Sequence, residues 1–94
     1  MKSWSIIFRV HAVQRMFERQ ISEENVKYVI QKGEVIENHP SDQPYPSKLI
    51  LGWIGFRSLH IVLAENAQQK EWIVITVYEP DPSKWDDNFR RRKP

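Results

Sequence analysis

The chain has 94 residues, 40% of them apolar and 28% charged, with a formal net charge of +2 and no cysteine. That is room for one domain with one core, outside the composition of disordered chains. It excludes disulfide scaffolds, thiol nucleophiles and cysteine-ligated zinc. A cysteine-free chain suits a reducing cytosol. The first residues meet Lys2 and Arg9 before an apolar signal core can form, and no run reaches membrane-spanning length, so a cytoplasmic protein without membrane association is expected.

In chain order, Trp4 to Val10 reads as a short opening strand rich in Ile, Phe and Val. From His11 the period changes to helical, and Ala12, Val13, Met16 and Phe17 predict a helix over 11–20. Its core side is expected to hold Val13, Met16 and Phe17. Ile21-Ser22-Glu23-Glu24 is a helix start. Ser22 can cap, the glutamates favour the first turn, and Ile21 and Val26 suit a hydrophobic staple. This second helix runs over 22–32 and stops at Gly33.

The remainder reads as sheet. Strands are expected at 34–38, 48–54, 59–65 and 72–78, with the last, most β-branched one central. The segment 41–47 is a proline-interrupted loop, 55–58 joins a hairpin, and Pro80 and Pro82 end the sheet. The fold class is α+β, with two N-terminal helices packed on one face of a small, mainly antiparallel sheet.

Three constellations could carry chemistry. His11, Arg15 and Arg19, at i, i+4 and i+8, form one stripe spanning roughly 80° of the first helix. Two guanidinium forks and an imidazole suit a phosphate, while the same pattern also describes an ordinary solvated face. On the sheet, His60 points away from Leu59, Ile61 and Leu63, as a satisfied side chain or a catalyst. Tyr78 ends the best strand beside Glu79, where it either seals the core or presents a phenol at a cleft. Lys48 and Arg57 lie at strand ends. In the tail, Trp85 and Phe89 precede Arg90, Arg91 and Arg92, a mixture that can stack on bases and neutralise phosphate or simply solubilise an end. His11, His39 and His60 are too scattered to predict a shared metal site, and no glycine-rich phosphate loop is present.

The run His11-Ala12-x-x-Arg15-Met16-x-x-Arg19-x-Ile21-Ser22, then Glu34-Val35-Ile36-Glu37 and a hydrophobic hairpin, resembles a domain-of-unknown-function family related to RelE/ParE-like and BrnT-like toxins. The likeness continues through Leu49 to Trp53 and Leu59 to Val62, and into Ile75 to Pro82. It implies one toxin-like domain over 1–94 with a basic tail from about residue 83, and the RelE/ParE-like fold. It further implies a type II toxin acting as a metal-independent ribonuclease on mRNA, without cofactor, on or off the ribosome. Its partner would be a cognate antitoxin, in this branch a small zinc-finger and helix-turn-helix protein. On that reading His11, Arg15, Arg19 and Tyr78 are the catalytic candidates, and Lys48, Arg57, Arg90, Arg91 and Arg92 hold RNA. The alternative is a non-catalytic protein- or nucleic-acid-binding module of the same fold.

Overall fold

The structure, a computed structural model, describes residues 4–94. Met1, Lys2 and Ser3, part of the segment read above for a signal core, lie outside the described residues. The elements are β1 (Ser5–Phe8), α1 (Val10–Arg19), α2 (Glu23–Lys32), β2 (Glu34–His39), β3 (Ser47–Ile54), β4 (Arg57–Asn66) and β5 (Glu71–Tyr78). Five strands make one sheet in the order β1-β5-β4-β3-β2. Among the described residues only the β1–β5 pair is parallel. The expected α+β arrangement is therefore present, with β5 inside the sheet and β4, rather than β5, at its middle.

Local chemistry sets the element ends. Ser22 accepts from the Asn25 backbone N–H at 3.0 Å, and the Asn25 side chain accepts in return from the Ser22 N–H at 3.3 Å, closing a capping box at the start of α2. α1 ends at Gln20 in the left-handed conformation, and the Ile21 N–H reaches back to the Met16 carbonyl at 2.9 Å. β3 and β4 are joined by Gly55-Phe56 alone, with Gly55 at φ 62°, the geometry a tight hairpin needs at its first turn position.

The helices bury Ala12, Met16, Ile21, Val26 and Val29 against Ile50, Leu59, Ile61, Leu63, Val74 and Val77. α1 departs from its expected orientation. Val13 and Phe17 are exposed, Phe17 by 86%, while Ala12 and Met16 carry the contact. With His11 set at 0°, the buried strip sits near 120°, between the basic stripe and an apolar stripe near 220°. Small Ala12 lets the helix axis come close to the sheet on that narrow strip, which leaves both flanks in solvent.

Two bulges decide what the opposite face of the sheet presents. In β2 the register steps from Val35↔Ile50 to Glu37↔Leu49, so Ile36 is the extra residue. Strict alternation would send Val35 and Glu37 to one side; the bulge puts Glu37 and His39 on the face away from the helices. In β5 the step from Thr76↔Val62 to Val74↔Leu63 leaves Ile75 extra. Val77 and Val74 can then both face the helices while Tyr78 and Thr76 face away.

Candidate functional site

The face away from the helices is covered by the chain's own tail. Trp85, 3% exposed, lies edge-on to the His60 ring at 4.4 Å between centroids, and Arg92 stacks over the Trp85 ring at 4.7 Å. A short β-bridge joins Trp85 to Arg92, and the Lys93 N–H donates to the Lys84 carbonyl at 2.8 Å. Asp86 caps the turn by accepting from the N–H groups of Asn88 and Arg90. The tail is thus a folded layer of the domain. The tail, read from the sequence either as a base-stacking segment or as a solubilising end, is held in place because Trp85 and the Phe89 carbonyl are anchored on a buried histidine.

His60 is fully buried. Its Nε2–H donates to the Phe89 carbonyl at 2.8 Å, which fixes the tautomer and leaves Nδ1 as acceptor for the Tyr78 hydroxyl at 3.2 Å. Burial pulls the His60 pKa below its ordinary value, against the Phe89 hydrogen bond that raises it, and burial lifts the Tyr78 phenol above its ordinary range. Both are therefore neutral at pH 7. Their roles differ, since His60 has no route to solvent and Tyr78 reaches the surface.

Tyr78 opens into a cleft of about 280 Å³ lined also by Glu37, His39, Lys48, Val62 and Arg92. The bulge in β2 supplies Glu37 and His39, β5 supplies Tyr78, and the tail supplies Arg92. The His39 Nε2 lies 3.1 Å from Glu37 Oε1. A carboxylate only accepts, so Nε2 carries a proton, and Nδ1 is the nitrogen that can act as a base when the ring is neutral. Arg92 donates to the same carboxylate through Nε at 3.1 Å and Nη2 at 3.5 Å, leaving its Nη1 edge for another anion. Burial alone would raise the Glu37 pKa, but the hydrogen bonds and charges of Arg92 and His39 outweigh it and hold the carboxyl below its ordinary value.

The residues singled out in the sequence fall into two groups. Tyr78 and Arg92 share the cleft, whereas Lys48 borders it along β3 with its side chain on the helix side, register partner to Leu63 and bound through Nζ to Glu65 at 2.6 Å. His11, Arg15 and Arg19 lie on the outer side of α1, across the sheet from Tyr78, and Arg15 pairs with Glu18 at 3.5 Å. Arg57 is engaged structurally. It donates to the carbonyls of Arg19 and Gln20 at the end of α1, and meets Glu79 at 3.0 Å. Arg90 pairs with Glu34 at 2.9 Å, and Arg91 is exposed. Sequence reasoning weighed His39 only as a metal ligand and gave Glu37 no role in a site. Their signal was two polar residues at i and i+2 on one strand.

Among the described residues no three imidazole or carboxylate groups stand close enough to hold a metal ion. No described helix is long and apolar enough to cross a membrane.

Neither the curated proteins nor the solved structures contain a significant match to this chain. A family model does match, over residues 8–79, a span that takes in both helices, Glu37, His39, Lys48 and Tyr78 and stops short of the tail. The chain belongs to the DUF4258 family, a domain of unknown function.

Proposed function

We propose that this domain is a toxin of a type II toxin–antitoxin pair, a metal-independent endoribonuclease whose site is the Glu37–His39–Tyr78–Arg92 cleft. The observation that carries the reading is the His39–Glu37 pair beside a guanidinium and a phenol in one open cleft. A base oriented by a carboxylate is the arrangement that acid–base catalysis requires. The likeness of the His11 to Ser22 run to a family read as related to RelE/ParE-like and BrnT-like toxins supports it by analogy. His39 takes the part first read for His11. Helix α1, with Arg15 and Arg19, is left to meet the antitoxin or to attract RNA.

In the mechanism, the Nδ1 of His39 takes the proton of a ribose 2′-hydroxyl as that oxygen attacks the adjacent phosphorus. Arg92 neutralises the charge that gathers on the phosphoryl oxygens. The bond from phosphorus to the 5′-oxygen breaks, and the Tyr78 hydroxyl, rotating from His60, gives the leaving oxygen its proton. The products are a 2′,3′-cyclic phosphate and a 5′-hydroxyl. The proton on His39 returns to Tyr78 through solvent. No step draws on a cofactor.

The test is expression without the neighbouring gene product, followed by RNA cleavage with purified protein in a chelator, with and without ribosomes. Growth arrest and chelator-resistant cleavage, lost in His39→Ala and kept in His11→Ala, are expected. Wild-type protein that binds RNA and never cuts it would end the catalytic reading.

A second reading, a non-catalytic protein-binding module, draws on a different surface. Val10, Val13 and Phe17 form an exposed apolar stripe along α1, the kind of surface a partner covers. It wins if the stripe binds a neighbouring gene product and the cleft variants change nothing.

A further inference from the structure

The tail that brings Arg92 to the cleft also carries Arg90, and the two guanidinium groups meet Glu37 and Glu34 of the same edge strand. They are held in series along β2. Arg90 lines a second hollow, a groove of about 270 Å³ between α2 and the far end of β3, with Tyr28, Lys32 and Trp53. β2 pairs with β3 only as far as Glu34↔Leu51, so Gly52–Ile54 have a strand neighbour on one side alone. Two aromatic rings border the groove with about half their surface in solvent, Tyr28 at 52% and Trp53 at 43%.

This groove is tied to the cleft through one residue. The Phe89 ring tilts against Trp53 at 6.0 Å, while the Phe89 carbonyl accepts the hydrogen bond from His60 Nε2–H. Phe89 does this at φ 59°, a conformation uncommon for a bulky side chain that persists only where the surroundings require it. Trp53 and Tyr78 are thus held on one framework, on the same side of the sheet.

We propose that the groove is a nucleobase subsite, which takes an unstacked base of the RNA strand whose phosphate lies in the cleft. The proposal rests on the ribonuclease reading and adds the substrate class, single-stranded RNA, because a base must leave its stack to enter. Tyr28 and Trp53 supply the ring faces, and Arg90 and Lys32 the cations for the adjoining phosphate. The Arg90–Glu34 pair is exposed, so a phosphate can exchange for the carboxylate at little cost. Cations interleaved with aromatic rings, in line with a phosphate cleft, favour a nucleic acid over a peptide strand laid along Gly52–Ile54.

The experiment uses the full chain. Affinity is read on a 2′-O-methyl oligouridylate, which lacks the nucleophile, and turnover on the unmodified oligomer and on a dinucleotide. Trp53→Ala and Tyr28→Ala are expected to weaken oligomer affinity and raise its KM by about tenfold. They should lower kcat much less than they raise KM, and should impair cleavage of the oligomer more than cleavage of the dinucleotide. Trp53→Phe should keep most of the affinity, which separates stacking from fold. If wild type cuts RNA and both alanine variants keep its KM and affinity, the subsite is overturned, the ribonuclease reading stands, and the open strand edge passes to a peptide partner. A fall in kcat with KM unchanged also overturns it. Wild-type protein that neither binds nor cuts RNA overturns both.

Discussion

His60 donates its Nε2–H to the carbonyl of Phe89 at 2.8 Å, a hydrogen bond that ties the backbone of the folded tail to the floor of the sheet. The arrangement needs a neutral imidazole with Nδ1 as acceptor for Tyr78.

The consequence for stability follows from the sign of the shift. The folded His60 has a pKa below its ordinary 6.5, so the unfolded chain binds the proton more readily. Stability is complete above pH 6.5 and falls as pH drops below it, by at most about 1.4 kcal/mol per unit, until the folded pKa is reached. Glu37 enters only below pH 4.5, because its folded carboxyl is depressed from that value. Urea unfolding between pH 7.5 and 5 should show the slope in wild type and lose its His60 share in His60→Gln. That variant should also be less stable at pH 7.5, by about 3 kcal/mol.

Truncating the tail's anchor should cost far more than removing a tail charge. Trp85→Ala removes a buried ring that touches both His60 and Arg92, and is expected to lower stability by about 3–4 kcal/mol. Arg91→Ala, on an exposed side chain, should stay within about 0.5 kcal/mol. Equal effects of the two, measured by thermal unfolding, would mean the tail does not pack on the sheet.

How much of this was legible beforehand depends on range. Ser22 as a cap and Gly55 within a hairpin turn are local signals, and both hold. The outward direction of His60 followed from simple alternation with Leu59 and Ile61. Gly33 does end α2, yet its backbone is extended, so glycine serves there for room beside the carbonyls of Val29 and Leu51 rather than for handedness. The extra residues Ile36 and Ile75 were not legible, since nothing in a run of apolar residues marks which one the neighbouring strand skips. The cleft depends on one of them. Nor could the tail be placed, because its anchor on His60 lies about 25 residues earlier in the chain. Phe17 misled for a different reason: helical spacing marks apolar positions without saying which strip of them the sheet is wide enough to cover.

In the cleft, His39→Ala should lower RNA cleavage by about 10²–10⁴-fold and His11→Ala should leave it near wild type. Glu37→Gln keeps a hydrogen-bonding group but loses the charge that orients His39 and holds Arg92. Its expected signature is a fall in kcat with a smaller change in KM. Steady-state cleavage of a defined oligonucleotide decides between these residues. The opposite order, His11 essential and His39 dispensable, would return the site to α1.

Gly52 gives Val29 its place on the sheet, and a methyl group there would run into the Val29 side chain. Gly52→Ala is expected to destabilise by about 1–3 kcal/mol. Combined with Val29→Ala, which opens space at the same contact, its effect should be clearly less than additive. Additive losses in a double-mutant cycle of unfolding free energies would show that the strain lies elsewhere.

The parallel pairing of β1 with β5 has a bearing on how the chain acquires its structure. The hairpin of β3 and β4 closes over a two-residue turn and can form as soon as it is made. β1 lies at the sheet's outer edge, with only β5 beside it, and α1 rests mainly on β5. The first strand and first helix therefore remain without their partners until β5, which pairs Ser5 with Glu71, has also been synthesised. During translation, the apolar side chains of Ile6, Phe8 and Met16 stay uncovered longest, and this interval is when a chaperone would be most useful to the nascent domain.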